Sequence, residues 1–320
     1  MEGRTRQMIR YAHGIHAIDT DYVRPVFDAS HLIVHEGRAA FVDAGVSHSV
    51  PLLLAALDEL ALSPQAVDFV FLTHVHLDHA GGAGQLMRAL PNAQAVLHPR
   101  GAPHMIDPGK LIEASIAVYG AEAYARLYGE ILPIDAARVV ATMPGQQFSL
   151  AGRMLEILHT PGHALHHQAI FDHHSRGVFT GDTFGLSYRE FDVDGRALAL
   201  PTTTPTQFDP DQLIDSIRRI LALQPLAAYF THYGEVRDLE RIGADLERQI
   251  GEYVRIARSH VALPAESARQ AISRDLGEFL RDEVRRHGCR LSGPEIDALL
   301  ENDIALNADG LLVWLSRRKS

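Results

Sequence analysis

The chain has 320 residues, 46% hydrophobic and 22% charged, a globular balance with enough apolar material for a large core. Its formal net charge of −10 argues against nucleic acid or an anionic membrane as the main partner, and no apolar run approaches the length of a membrane span. Cys289 is the only cysteine, so no intrachain disulfide can form, and the segment Met1–Gln7 is polar with no apolar signal stretch; a cytoplasmic location is the expectation.

Residues 14–45 read as strands, with His31–His35 and Ala39–Asp43 separated by the hairpin signal Glu36-Gly-Arg38. Helical spacing follows in Leu52, Leu53, Ala56, Leu57 and Leu60. Val67–Leu72 is a buried strand that runs into Thr73-His-Val-His-Leu-Asp-His79, after which Gly81, Gly82 and Gly84 open a helix through Leu90. Gln94–His98 is a short strand. Residues 101–135 read as a helical insertion lying over the core near the pocket. Strands return at 138–142, 146–150, 153–159, 168–172 and 176–180. Asp209-Pro-Asp-Gln212 is a helix start with an acidic cap and Pro at the first position, and Ala227–Thr231 is the last strand expected. After Tyr233 the pattern is helical only, with apolar stripes through Ile242, Leu246, Ile250 and Tyr253 and through Ile272, Leu276, Phe279, Leu280 and Val284. Ser292-Gly-Pro-Glu295 is a capping box, and Arg317-Arg-Lys319 reads as a solvated tail. The organisation expected is a catalytic core over 1–237 and a helical region over 238–320 made to pack on that core or on a second subunit, as in a homodimer. The order of elements fits a four-layer αββα sandwich.

The chain has 19 histidines, and their placement carries the chemistry. His74, His76, Asp78 and His79 put four donors into six residues at the end of a strand. In a locally extended chain, positions two apart point the same way, so His74 and His76 can reach one ion. Asp78 and His79, where the chain turns into a helix, can reach a second. His163 in His159-Thr-Pro-Gly-His163, Asp182 in Phe179-Thr-Gly-Asp182 and His232 in Phe230-Thr-His232 also stand at strand ends. Taken singly, a strand-end His or Asp is more often a capping or surface residue; four donors in six residues are hard to explain that way. Imidazole and carboxylate suit zinc first, and iron or manganese as well.

Thr73-His-Val-His-Leu-Asp-His79-Ala-Gly-Gly82 resembles the signature of the metallo-β-lactamase superfamily, and the motifs around His163, Asp182 and His232 resemble its later motifs in the same order. The similarity spans roughly residues 14–235 and is greatest to the glyoxalase II-like hydrolases. The resemblance implies the metallo-β-lactamase fold and two divalent metal ions. It assigns His74, His76 and His163 to the first ion, Asp78, His79 and His232 to the second, and Asp182 to both. β-Lactamases of the superfamily often replace the residues standing at Asp182 or His74, so a β-lactam is not the substrate expected. The C-terminal helices carry no match to the glutathione-binding contacts of glyoxalase II, and the insertion at 101–135 is not a standard part of that family.

Two metal ions roughly 3.5–4 Å apart can share a hydroxide, which would cleave a small thioester, ester or lactone with Asp78 orienting it or carrying the proton. Asp43 is a candidate acceptor for a ligand histidine. His167 and Tyr188 are candidate substrate or supporting contacts, each with a structural alternative of similar weight. His98, His104 and Asp107 read as structural by default, Thr202–Phe208 as a polar loop bordering the mouth, and His173-His174 as a turn. The partner expected is a small molecule, with neither nucleic acid nor membrane. Di-iron redox chemistry on oxygen or a persulfide and phosphodiester cleavage are the alternatives the same ligands permit.

Overall fold

The computed structural model describes residues 8–203 and 206–317; the polar segment Met1–Gln7, the loop residues Thr204 and Pro205, and the tail residues Arg318, Lys319 and Ser320 fall outside the described residues. The chain divides into two compact units. The first is drawn from Met1–His159, His166–Gly181 and Pro225–Glu235, and the second from Thr160–Leu165, Asp182–Gln224 and Val236–Ser320.

In the first unit a seven-stranded sheet runs in spatial order β1 (Met8–Arg10), β2 (Ile15–Asp19), β3 (Ala29–His35), β4 (Arg38–Val42), β5 (Val67–Phe71), β6 (Gln94–Leu97) and β7 (Val139–Ala141). β1 to β4 are antiparallel and β4 to β7 parallel. A six-stranded sheet is formed by β8 (Gln147–Leu150), β9 (Arg153–His159), β10 (Gln168–Asp172), β11 (Gly177–Phe179), β12 (Ala227–Phe230) and β13 (Gly234–Val236), with β11 and β12 parallel. β13 departs from the purely helical pattern expected after Tyr233; three residues are too few for a period of two to register.

Alternation explains why the larger sheet is apolar on both faces. Leu32 and Phe41 pair across β3 and β4, as do Ile33 and Ala40. Leu32 and Phe41 join a core with the helices, whereas Ile33, Ala40 and Val42 meet Leu155, Ile157, Ile170 and Phe179 of the other sheet. Strands buried on both faces read as continuous apolar runs, which is how β4 and β5 look in the sequence. The helical side is covered by α1 (Val50–Glu59), α2 (Leu77–Ala80), α3 (Ala83–Ala89) and α4 (Ala102–Ile106), through Leu53, Leu57, Leu86 and Met105. Each such fully buried Leu or Met contributes about 1.5–3 kcal/mol. After α4 the chain adds α5 (Gly109–Tyr119) and α6 (Ala121–Tyr128).

The second unit holds α7 (Pro210–Ala222), α8 (Leu239–Ser259), α9 (Ala265–His287) and α10 (Gly293–Arg317). Asp209 caps α7, accepting from the Gln212 N–H at 3.0 Å, as the Asp-Pro-Asp-Gln signal implies. α9 stops at Gly288, whose φ of +98° suits a left-handed helix end. Arg248 of α8 donates to the buried Glu283 of α9 at 2.9 Å, and Arg281 of α9 to Asp297 of α10 at 2.7 Å. No described helix is long and apolar enough to cross a membrane. The α/β sandwich class with C-terminal helices, expected from the order of elements, is the class observed.

Candidate metal centre

Two residues beyond β5, Thr73 donates its backbone N–H to Asp43 Oδ1 at 2.8 Å and its hydroxyl to Asp43 Oδ2 at 2.9 Å. Asp43 follows β4 with φ +61°, a left-handed setting that aspartate tolerates better than most residues. Its buried carboxylate also accepts from the Thr231 hydroxyl at 2.9 Å and from His79 Nδ1 at 2.8 Å. One carboxylate therefore anchors the ends of β5 and β12 and the helix carrying His79. Gly82 permits the close approach behind it: a Cβ there would stand 2.7 Å from the carbonyl oxygens of Ala44 and Val46. The sequence marked Asp43 as a candidate support but missed Thr73 and Thr231. The available signal was the repeated Thr-His at two strand ends, Thr73-His74 and Thr231-His232.

Asp78, His79 and His232 bring one ligand atom each within 4.8 Å of one another. An ionised carboxylate and a carbonyl only accept hydrogen bonds, so His79 Nδ1 donates to Asp43, and His232 Nδ1 donates to the carbonyl of Phe27 at 3.0 Å. In a neutral imidazole whose Nδ1 donates, the lone pair is on Nε2, the nitrogen each of these rings would offer an ion. His79 Nε2 lies 3.9 Å and His232 Nε2 3.6 Å from Asp78 Oδ2. Two lone pairs and a carboxylate oxygen facing one another is an arrangement that a cation relieves, and the imidazole–carboxylate chemistry fits a divalent ion. His74 Nε2 and His76 Nδ1 are 2.9 Å apart in the same loop. His74 is buried with its ring 4.1 Å from that of His79.

The same pattern recurs in the second unit. His163 Nδ1 faces the carbonyl of Thr202 at 3.4 Å, and its Nε2 lies 3.4 Å from Asp182 Oδ2. The turn that presents His163 depends on Gly162, whose φ is +133° and where a Cβ would meet the Leu213 backbone at 2.3 Å. The Asp209 N–H donates to the Gly162 carbonyl at 2.8 Å, joining this turn to the start of α7.

The remaining sequence candidates separate clearly. His167 is buried with its ring stacked on His74 at 4.9 Å. Tyr188 is buried, and its hydroxyl donates to Asp303 of α10 at 2.9 Å. His98 accepts from the Arg100 N–H at 3.1 Å and packs its ring 4.2 Å from that of His159. His173 pairs with Glu156 at 2.7 Å on the surface. Burial pushes the Asp28 carboxyl up to about 7, against the opposing pull of His232 and His79. It pushes the His166 imidazole down to about 3. Neither residue stood out in the sequence.

A profile of the metallo-beta-lactamase superfamily matches residues 23–232. A metallo-beta-lactamase fold-containing protein of Sulfurisphaera tokodaii is 28% identical over 228 residues, covering 70% of this chain and 79% of its own length. A hydroxyacylglutathione hydrolase of Aeromonas salmonicida is 26% identical over 260 residues, covering 79% and 81%. A metallo-beta-lactamase family protein of Thermus thermophilus superposes with a TM-score of 0.68 at 19% identity, over 96% of this chain and 94% of that one.

Proposed function

The chain belongs to the metallo-beta-lactamase superfamily, and from that membership we propose that it is a metal-dependent hydrolase cleaving a small thioester, ester or lactone. The observation that carries this reading is the Asp78–His79–His232 cluster, where two imidazoles are held by Nδ1 and aim Nε2 at one carboxylate oxygen. The similarity to a hydroxyacylglutathione hydrolase supports the thioester end of the range.

In this reading Asp78, His79 and His232 would hold one divalent ion and His74, His76 and His163 another, with Asp182 the ligand the motif resemblance assigns to both. Zinc is the metal proposed, in keeping with the nitrogen and oxygen donors. Bound ions would supply Lewis acidity, polarising the substrate carbonyl and lowering the pKa of water toward neutrality. The chain's own residues do the rest. Asp43 fixes the His79 tautomer, and the Phe27 carbonyl fixes that of His232. Asp78 has a side chain 25% exposed, open enough to meet a reactant. Its Oδ2 faces the imidazoles, so Oδ1 is the atom that takes the proton from the attacking water and passes it to the leaving thiolate or alkoxide. The water oxygen forms a new C–O bond at the carbonyl carbon and the C–S or C–O bond to the leaving group breaks, giving an acid and a thiol or alcohol, or one hydroxy acid from a lactone. His167, stacked on His74, acts as a positioning residue, and Tyr188 ties its loop to Asp303 of α10.

The test is a panel of thioesters, esters, lactones and phosphodiesters, assayed with elemental analysis on the same sample. Turnover of a thioester, ester or lactone by a colourless zinc protein is the expected result. A coloured iron protein consuming oxygen or a persulfide, or one that turns over only phosphodiesters, would replace this reading.

A further inference from the structure

α5 is an apolar helix that the fold leaves half covered. Leu111, Ile112, Ile116, Val118 and Tyr119 lie along it, yet none of its residues is buried, and Val118 and Tyr119 are 72% and 38% exposed. Leu111, Ile112 and Ile116 rest on a cluster containing Tyr22, Val46, Leu77, Tyr124, Tyr128 and Phe27. That cluster is continuous with the candidate metal centre in two places. Leu77 stands between His76 and Asp78 in the chain, and the Phe27 ring packs edge-on against His232 at 5.3 Å. Tyr22 bridges the strip, 5.9 Å from both the Phe27 and Tyr128 rings, and Tyr119 packs on Tyr128 at 5.6 Å. The Tyr22 and Tyr128 hydroxyls are 3.3 Å apart. Burial first, and then the charge of Asp78, holds the Tyr22 phenol above its ordinary value.

We infer that α5 and the aromatic strip Phe27–Tyr22–Tyr128–Tyr119 form the wall that binds an apolar acyl group of the substrate beside Asp78 and His232. The inference rests on the hydrolase reading and narrows it: the substrate is an ester or thioester of an extended apolar acid rather than of a short polar one. A small ligand is favoured over a second copy of the chain because the strip runs into the cluster of donors, so its occupant must contact the reacting end. Half-covered Leu and Ile side chains gain by burial against an alkyl or aryl group, and an alkyl chain adds about 0.8 kcal/mol, or roughly fourfold in affinity, for each methylene fully buried.

The test uses the metal-loaded protein with 4-nitrophenyl acetate, hexanoate and decanoate, together with calorimetric binding of acetate and decanoate. We expect kcat/KM to rise at least tenfold from acetate to decanoate, chiefly through KM, and decanoate to bind where acetate does not. Ile116→Asn and Tyr119→Ser should each cut the decanoate-to-acetate ratio severalfold with metal content unchanged, and Tyr119→Phe should restore it, since the wall acts through apolar area. A flat chain-length profile with active enzyme overturns the wall and leaves the hydrolase reading standing. Decanoate binding that weakens in the Ile116 variant, with no substrate cleaved, supports the wall and removes the hydrolase reading. If Val118→Asp splits a dimer and decanoate does not bind, the face belongs to a second copy and the proposal is wrong.

Discussion

Asp43 Oδ2 stands 2.8 Å from His79 Nδ1, and the same carboxylate holds Thr73 and Thr231. A single buried anion thus sets both the tautomer of a candidate ligand and the spacing of two strand ends that carry His74 and His232. Losing such an outer partner typically weakens metal affinity 10–100-fold.

Asp43→Asn should accordingly lower metal affinity by roughly that factor while the fold persists. Asp43→Ala should do worse, because four donors lose their acceptor in a dry site, at about 1–3 kcal/mol for each one left unsatisfied. Metal titration with a competing chelator, alongside a thermal melt, checks both. If Asp43→Asn binds metal like the native chain, the carboxylate is only a structural tie.

Asp182→Ala should lose metal as well as turnover. The reason is charge: two dications held close together repel, and a shared carboxylate offsets that. The native chain should carry about two ions, as expected for a dinuclear hydrolytic site. Chelation should lower Tm, since a ligand at a hundredfold over its Kd contributes about 2.7 kcal/mol. Elemental analysis, calorimetry and an activity assay together read these outcomes. Two ions retained in the Asp182 variant would remove it from the ligand set.

Much of this was legible because it is local. His74, His76, Asp78 and His79 declare themselves by spacing, and Asp209-Pro-Asp-Gln212 by the chemistry of a helix start. The six-residue run needs no knowledge of the fold. What was illegible is what folding assembles from afar. Tyr22 and Tyr128 are 106 residues apart in the chain, and nothing in either neighbourhood announces the other. The carbonyls of Phe27 and Thr202 that orient His232 and His163 are backbone atoms, which no side-chain pattern can mark. Tyr188 was singled out for following Asp182, but its hydroxyl is directed at Asp303, 115 residues on.

That contact separates two roles for Tyr188. Tyr188→Phe removes a hydrogen bond to a carboxylate, which is worth about 1.5–3 kcal/mol, so Tm should fall while metal content holds. Turnover should fall less, by way of the loop rather than the substrate. A variant with native Tm and a large loss of kcat/KM would put the hydroxyl on the substrate instead.

The last prediction concerns pH and a pair remote from the chemistry. Arg153 of β9 and Asp172 of β10 are both buried; the guanidinium donates Nε at 3.0 Å and Nη2 at 2.5 Å to the two carboxylate oxygens, and Nη1 to the carbonyl of His13 at 2.6 Å. Burial pulls the Asp172 carboxyl upward, but the hydrogen bonds from Arg153 and Ser175 outweigh it and hold the group below its ordinary value of 3.8. A carboxyl depressed in the folded state stabilises the fold fully above its unfolded pKa, and that contribution is lost as pH falls through the folded value. The stability gap between the native chain and Asp172→Asn should therefore be constant above about pH 5 and shrink below about pH 4. Arg153→Met should be the harsher change, costing about 3–5 kcal/mol by stranding a buried charge, whereas replacing both residues with apolar ones should recover much of that loss. Urea denaturation of the three variants between pH 3 and 7 (roughly the span that brackets the carboxylate) makes the comparison. If the Asp172→Asn gap does not narrow in acid, the carboxylate is not held ionised by Arg153, and the sheet draws its stability there from packing alone.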